Sequence, residues 1–208
     1  MTGRFITIEG VEGVGKSSCI ATIVARIERA GLPVCQTREP GGSPNAERIR
    51  DLLLSRDTTR LPHLAELLLM FAARADHIRN TISPALAAGT WVVSDRFTDS
   101  SFAYQGGGRG MDTGMIAQLE RWTVAEVNVD RTFLLDLPPE TGLARIAGRE
   151  TDRIEAEDAA FFERTRAAFL DRAAADPSRF IVVDAGQSAE AVNTELLRHL
   201  DALLGDVG

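Results

Sequence analysis

Five short apolar runs punctuate the chain, at 5–9, 34–38, 91–95, 132–137 and 180–184. Most of them, such as Phe133-Leu134-Leu135, are unbroken rather than alternating. A strand with water on one face alternates, whereas a parallel strand covered on both faces does not. Between the runs, apolar residues recur at helical spacing over 16–30, 45–55, 63–88, 113–127, 139–148, 158–174 and 189–204. Gly31-Leu32-Pro33 and Gly89-Thr90 stop two of these helices. Strand alternating with helix predicts an α/β fold, a doubly wound parallel sheet of five strands. There is no internal repeat and no long linker, so 1–208 reads as one domain. Two segments are expected to be mobile. One is Gly106-Gly107-Gly108-Arg109-Gly110; the other is the arginine- and acid-rich stretch 145–158, a small lid.

Sheets of this kind bind ligands outside the carboxyl ends of their strands. The first run leads from Glu9 into Gly10-Val11-Glu12-Gly13-Val14-Gly15-Lys16-Ser17-Ser18. Gly10, Gly15, Lys16 and Ser17 fit the pattern G-x-x-x-x-G-K-[ST]. Glycines let the backbone curl so that successive N–H groups point at phosphate oxygens. The helix that follows adds the positive end of its dipole. Lys16 then reaches the β- and γ-phosphates, and the Ser17 hydroxyl sits on Mg²⁺. With glycine at about 7% of residues, chance gives this match in roughly 1% of chains this long. Lys16 is also the only lysine among 23 Lys+Arg. The one exception to an arginine habit thus stands where arginine's wide fork fits poorly.

The other strand ends add charge to the same crevice. Asp95 closes the third run, as the acidic residue that holds Mg²⁺ does in phosphate-loop proteins; an aspartate there equally caps a strand. Arg96 beside it suits bidentate phosphate binding. Phe71 and Arg74 lie three apart on one helix and share a face. Such a pair can stack a base and donate to its carbonyl, but Phe71 equally suits a core with Leu67, Leu68 and Met70. Ser101, Tyr104 and Gln105 follow Arg96 and offer groups for the polar edge of a pyrimidine, or serve as caps and turn residues. Arg145, Arg149 and Arg153 recur every four residues ahead of Glu155, Glu157 and Asp158. That is either a solvated, ion-paired helix face or a lid that closes over transferring phosphates.

The totals narrow the class. A net charge of −7 argues against a nucleic-acid or membrane surface, so an anionic substrate needs a local arginine cluster. No apolar run approaches membrane-spanning length and no leader precedes Phe5, which leads us to expect a cytoplasmic protein. Cys19 and Cys35 lack metal or redox spacing, and His63, His77 and His199 are scattered.

Several of these runs together resemble the bacterial thymidylate kinase family. They are Thr37-Arg38-Glu39-Pro40-Gly41-Gly42, Leu69-Met70-Phe71-Ala72-Ala73-Arg74, Asp95-Arg96-Phe97 with Ala103-Tyr104-Gln105-Gly106-Gly107-Gly108-Arg109-Gly110, and Asp152-Arg153-Ile154-Glu155. With the phosphate loop they span nearly the whole chain. The resemblance implies a phosphate-loop nucleoside monophosphate kinase that transfers the γ-phosphoryl group of ATP to dTMP. It implies that the loop from Gly10 to Ser18 holds ATP. Phe71 would stack on thymine, Arg74 would donate to a thymine carbonyl, and Ser101 and Gln105 would face the base N3 side. Arg96 and Arg50 would hold the dTMP phosphate, although Arg48 is a rival for the second place. Tyr104 would crowd the sugar where a ribose 2′-hydroxyl lies, and Glu12 and Glu39 would lie near the sugar and phosphate. It also implies a homodimer. The loop carries no arginine between Val11 and Val14, matching the subgroup that keeps its transfer arginines, here Arg149 and Arg153, in the lid. Lys16, Arg96, Glu12 and the lid arginines are thus the expected catalytic set, with Ser17 and Asp95 at Mg²⁺. Another nucleoside or nucleotide kinase, or an ATPase acting by nucleotide-dependent association, are the alternatives. A GTP-dependent switch is excluded, because its guanine-reading Asn-Lys-x-Asp motif needs a second lysine.

Overall fold

In the computed structural model, which describes residues 3–55, 61–124, 127–146, 148 and 153–205, the five apolar runs become one sheet. The strands are β1 (Phe5–Glu9), β2 (Val34–Arg38), β3 (Trp91–Asp95), β4 (Arg131–Asp136) and β5 (Phe180–Asp184). All pair in parallel, in the order β2-β3-β1-β4-β5. β1 is central because the chain first winds to one side of it and then, after β3, to the other. Its carboxyl end is therefore the switch point, where a crevice opens.

Side chains that alternate along the strands enter two cores. Ile6, Ile8, Phe133 and Leu135 meet α1 (Lys16–Arg29) and α9 (Ala189–Gly205) through Ile20, Ile23, Ile27, Leu196 and Leu200, all within 2% exposure. Each such side chain contributes about 1.5–3 kcal/mol by leaving water. The opposite face carries Phe5, Val92, Leu134 and Phe180 against Phe97, Phe161, Phe162 and Phe169. Two polar members of that face, Thr7 and Thr132, satisfy each other at 2.8 Å.

The expected helix over 63–88 is three pieces end to end: α3 (His63–His77), a π turn (Ile78–Ile82) and α4 (Ser83–Ala87). Pro84 has no amide hydrogen and its ring crowds the carbonyl one turn back, and the wider π turn ahead of it relieves both. The remaining helices are α2 (Pro44–Leu54), α5 (Thr98–Ser101), α6 (Thr113–Thr123), α7 (Pro139–Ile146) and α8 (Ala159–Ala175).

The glycine run departs from expectation. Phe102–Gly108 is wound into a π-helical segment, buried against α8. Its glycines serve packing rather than freedom. A Cβ on Gly107 would lie 2.6 Å from the Ala168 methyl, and one on Gly108 would lie 2.4 Å from the Phe161 ring. Bare backbone lets α8 come that close, which a sequence pattern of glycines does not distinguish from a flexible loop. Among the described residues, no helix is long and apolar enough to cross a membrane.

Candidate active site

The phosphate loop is set by what β1 and α1 bury. Val11 and Val14 turn their side chains into the core at 3% exposure each, which leaves the loop backbone facing out. Gly13 has φ +73°, and a Cβ there would sit 2.0 Å from the Gly142 carbonyl oxygen, so α7 can seat against the loop only at glycine. Gly10 and Gly15 also take positive φ. Ser17 and Ser18 open to solvent on the first turn of α1. Lys16 Nζ folds back over the loop and donates to the carbonyls of Gly10 (3.1 Å) and Val11 (3.0 Å). Burial and the nearby Arg96 push its pKa down to about 8, against the pull of Asp95, Glu12 and Glu9.

Arg96 has φ +71°, the one described non-glycine residue in the left-handed region. That conformation costs about 1–2 kcal/mol. Three bonds hold it: Arg96 N–H to the Ile8 carbonyl (2.9 Å), the Ser94 hydroxyl to the Arg96 carbonyl (2.8 Å), and Phe97 N–H to the Glu9 carboxylate (2.7 Å). The strained turn swings the guanidinium back over the phosphate loop. There it donates to the Gly10 carbonyl (2.9 Å), Ser100 (3.2 Å) and Glu12 (2.9 Å), with the Tyr104 ring beneath at 4.9 Å. Glu9, fully buried, has its pKa raised to about 7 by burial and by Asp99, despite Arg96 and the bonds from Ser100 and Phe97. Asp99, also fully buried, is clamped by Arg172 (2.5 Å) and Arg179 (2.7 Å), which fixes α5 and hence Ser100 and Ser101.

The other half of the crevice hangs from α3. Arg74, 3% exposed, donates Nε to Glu39 (2.7 Å), Nη1 to Ser101 (3.1 Å) and Nη2 to the Phe97 carbonyl (3.1 Å). Glu39 is braced from behind by His77 (3.1 Å), whose other ring nitrogen meets Thr37 (2.7 Å). Tyr104 Oη donates to Glu12 (2.7 Å). Arg50 donates to the Pro40 carbonyl (2.7 Å) and lines the cavity, whereas Arg48 is exposed on the same helix.

One cavity of about 610 Å³ joins these halves. Its walls bring together most of the residues singled out in the sequence, from Glu12, Lys16 and Ser17 to Arg74, Asp95, Arg96, Ser101, Tyr104 and Gln105. Phe71 stands differently. It is 2% exposed, packed with Leu67, Phe102 and Ile116, and carries the Arg74 guanidinium 4.6 Å above its ring, while Met70 reaches the wall. Leu68, a candidate for the same core, is 48% exposed. The walls also include Arg38, Ser100 and Arg145, the last donating to the carbonyls of Gly13 (3.4 Å) and Ala185 (3.2 Å).

Arg153 is held to one side. Its Nε donates to the Leu53 carbonyl (2.8 Å) and its Nη2 to Glu66 (2.7 Å). Arg149 lies outside the described residues. Glu66 was not among the candidates, yet it is 1% exposed and meets Gln105, Arg109 and Arg153. Its signal was an acid four residues ahead of Met70 and eight ahead of Arg74, on the same helix face.

Two buried carboxylate oxygens, Glu12 Oε2 and Asp95 Oδ1, have no hydrogen-bond partner among the described residues. Both belong to residues of the cavity wall, and hard oxygen donors of this kind fit Mg²⁺.

A parallel sheet in this order, with a phosphate loop at its switch point and arginines across the crevice, defines a phosphate-loop nucleotide-binding protein. The sequence profile of the family described as Thymidylate kinase matches residues 8–196. The chain is 53% identical to a thymidylate kinase of Cupriavidus pinatubonensis, over 98% of this chain and all of that one. It is 50% identical to one of Neisseria gonorrhoeae, over 99% of this chain and all of that one. The crystal structure of thymidylate kinase from Ehrlichia chaffeensis superposes with a TM-score of 0.78 at 33% identity, covering 96% of this chain and 99% of that one. The chain belongs to the thymidylate kinase family.

Proposed function

We infer that the protein transfers the γ-phosphoryl group of ATP to dTMP, giving ADP and dTDP, a step towards dTTP. Membership of the family over nearly the whole chain carries this reading. The continuous cavity supports it, since one end offers phosphate-loop backbone and the other a buried arginine set among hydroxyl and amide groups.

The acceptor is already a phosphate oxygen, so no catalytic base is required, and the protein's work is alignment and charge neutralisation. We assign the loop from Gly10 to Ser18 to the ATP phosphates, with Lys16 at the β- and γ-phosphates. Ser17, Asp95 and Glu12 would hold Mg²⁺, whose chemistry is to neutralise charge between donor and acceptor phosphates. Arg96 sits between loop and acceptor cavity, so it holds the dTMP phosphate in line, with Arg50 as second contact. Burial alone would lower the Arg96 pKa, but Tyr104, Glu12, Asp95 and Glu9 outweigh it and push it up, so the guanidinium stays charged. Arg74, Ser101 and Gln105 take the thymine edge, and Phe71 supports the base. Tyr104 closes the space a ribose 2′-hydroxyl would need, and Glu39 holds Arg74 in place. Lid arginines 149 and 153 supply charge to the transferring group, and we place the enzyme in the cytoplasm.

We also propose a homodimer. Leu52 on α2, Leu64 and Leu68 on α3, and Met115 and Trp122 on α6 are 40–71% exposed on neighbouring helices. Large apolar side chains gathered on adjacent elements mark a surface that is covered by a partner.

A coupled ADP-release assay across nucleoside monophosphates tests the reaction. ADP release should require dTMP in stoichiometric amount; turnover that ignores dTMP would point to an ATPase. Arg74→Ala should raise the dTMP KM about ten- to hundredfold and leave the ATP KM nearly unchanged, as loss of a charged hydrogen bond worth about 1.5–3 kcal/mol requires, and Phe71→Ala should act in the same direction by removing the ring beneath that guanidinium. Phe71→Ala should also lower stability by about 3–5 kcal/mol, because its ring is buried. An ATP KM that moved instead would remove both residues from the acceptor site.

A further inference from the structure

We propose that Glu66 is a positioning residue for base selection: it fixes the Gln105 side-chain amide so that its oxygen faces the cavity, and the pocket therefore takes a pyrimidine whose ring N3 carries hydrogen. This rests on the dTMP reading above.

The geometry begins with an acid where none would be expected. Glu66 lies on the buried face of α3 between Ala65 and Leu67, at 1% exposure. Its Oε1 accepts from Gln105 Nε2 at 3.0 Å, both groups buried. Its Oε2 accepts from Arg153 Nη2 at 2.7 Å and Arg109 Nη2 at 3.3 Å. Burial alone would raise its pKa, but the bonds from Gln105 and Arg153 and the charges of both arginines outweigh it and hold Glu66 below its ordinary value. It is thus ionised at neutral pH.

An ionised carboxylate only accepts. A carboxamide has one donating and one accepting end, and nothing intrinsic decides which way it points. Beside an ionised Glu66, the NH₂ end of Gln105 must face the carboxylate, because the reverse sets oxygen against oxygen. Gln105 lines the cavity, so the end it offers there is the carbonyl oxygen. Thymine and uracil present N3–H and match it; cytosine presents a bare N3 lone pair and does not. A site built to hydrogen-bond one partner rejects the analogue that leaves its group unpaired. The amide is thus a reader whose polarity is set one layer back. Ser101, whose hydroxyl hydrogen can rotate, cannot enforce the same choice.

Glu66→Gln tests this. The new side chain has both ends too, so the pair can flip together and Gln105 can offer NH₂ to the cavity. Wild-type turnover of dTMP tests the reading beneath; the ratio of kcat/KM for dTMP over dCMP tests the inference. That ratio should fall about tenfold or more in Glu66→Gln, with the ATP KM unchanged. Arg109→Gln serves as the comparison: it removes another partner of Glu66 and should lower Tm while leaving the ratio within twofold of wild type. A folded Glu66→Gln that keeps the wild-type ratio, or an Arg109→Gln that loses it equally, overturns the assignment. If Glu66→Gln does not fold, NMR of the wild type decides. Coupling across the hydrogen bond from Gln105 Nε2 to the Glu66 carboxylate is expected, and its absence overturns the proposal.

Discussion

Lys16→Ala should leave the fold intact and lower kcat by at least about 10²–10³-fold, the usual cost of deleting a single preorganised donor at developing charge. The loop around Lys16 is held by Val11 and Val14 in the core and by the Gly13–Gly142 contact, none of which involves the ammonium. Its two bonds to Gly10 and Val11 carbonyls park the charge beside the loop rather than build the loop. The sign of the pKa shift supports the structural half of the prediction. With its pKa lowered from 10.5 to about 8 in the folded chain, the charged amine is the costlier form there. At pH 7 it therefore opposes folding, a penalty that begins to fall as pH rises past about 8 and is gone above the ordinary lysine value of 10.5. The variant should have a Tm no lower than the wild type, checked by circular dichroism at pH 7 beside the kinase assay. Near-normal turnover in a folded variant would remove Lys16 from the phosphates.

At least one of Arg149→Ala and Arg153→Ala should lower kcat by about 10³-fold or more, with little change in dTMP KM. Phosphoryl transfer needs positive charge on the migrating group beyond the loop lysine, and arginines in this role are worth ~10³–10⁵ in related enzymes. The loop between Val11 and Val14 has none to give. In this structure Arg153 is 12% exposed and engaged by Glu66 and the Leu53 carbonyl, so a transfer role obliges it to exchange that buried carboxylate for phosphate as the lid closes. Rates for the two single variants and the double variant decide. If all three keep kcat within a few-fold of wild type, the lid arginines contribute only ion pairs and the missing charge has another source.

The sheet was legible because parallel strands buried on both faces leave unbroken apolar runs, and all five fall within a residue of where the pattern put them. The phosphate loop was legible because its chemistry demands residue types at fixed spacing. What stayed hidden depends on contacts between distant segments. Gly107 and Gly108 read as mobile because their reason, the close approach of α8, lies more than fifty residues away. Phe71 allowed a core and a ligand reading; its ring lies in the core and also under Arg74, so spacing had no way to choose. The positive φ of Arg96 is invisible in a sequence, since any strand-ending arginine looks alike until Glu9 and Ser94 tie it down. Glu66 looked like a stray acid on an apolar helix because its partners, Gln105 and Arg109 in one segment and Arg153 in another, are distant in the chain.

The lone lysine has a consequence for chemical labelling. Most proteins of this size scatter side-chain amines over the surface, and acylating reagents modify them indiscriminately. Here Lys16 is the only side-chain amine, it sits at the phosphate loop, and at about pH 8 roughly half of it is the neutral nucleophile. An amine-directed reagent small enough to enter the cavity would thus mark only the α-amine of the chain and Lys16, and occupancy of the loop by a polyphosphate would be read as loss of the Lys16 adduct alone, located by peptide mass.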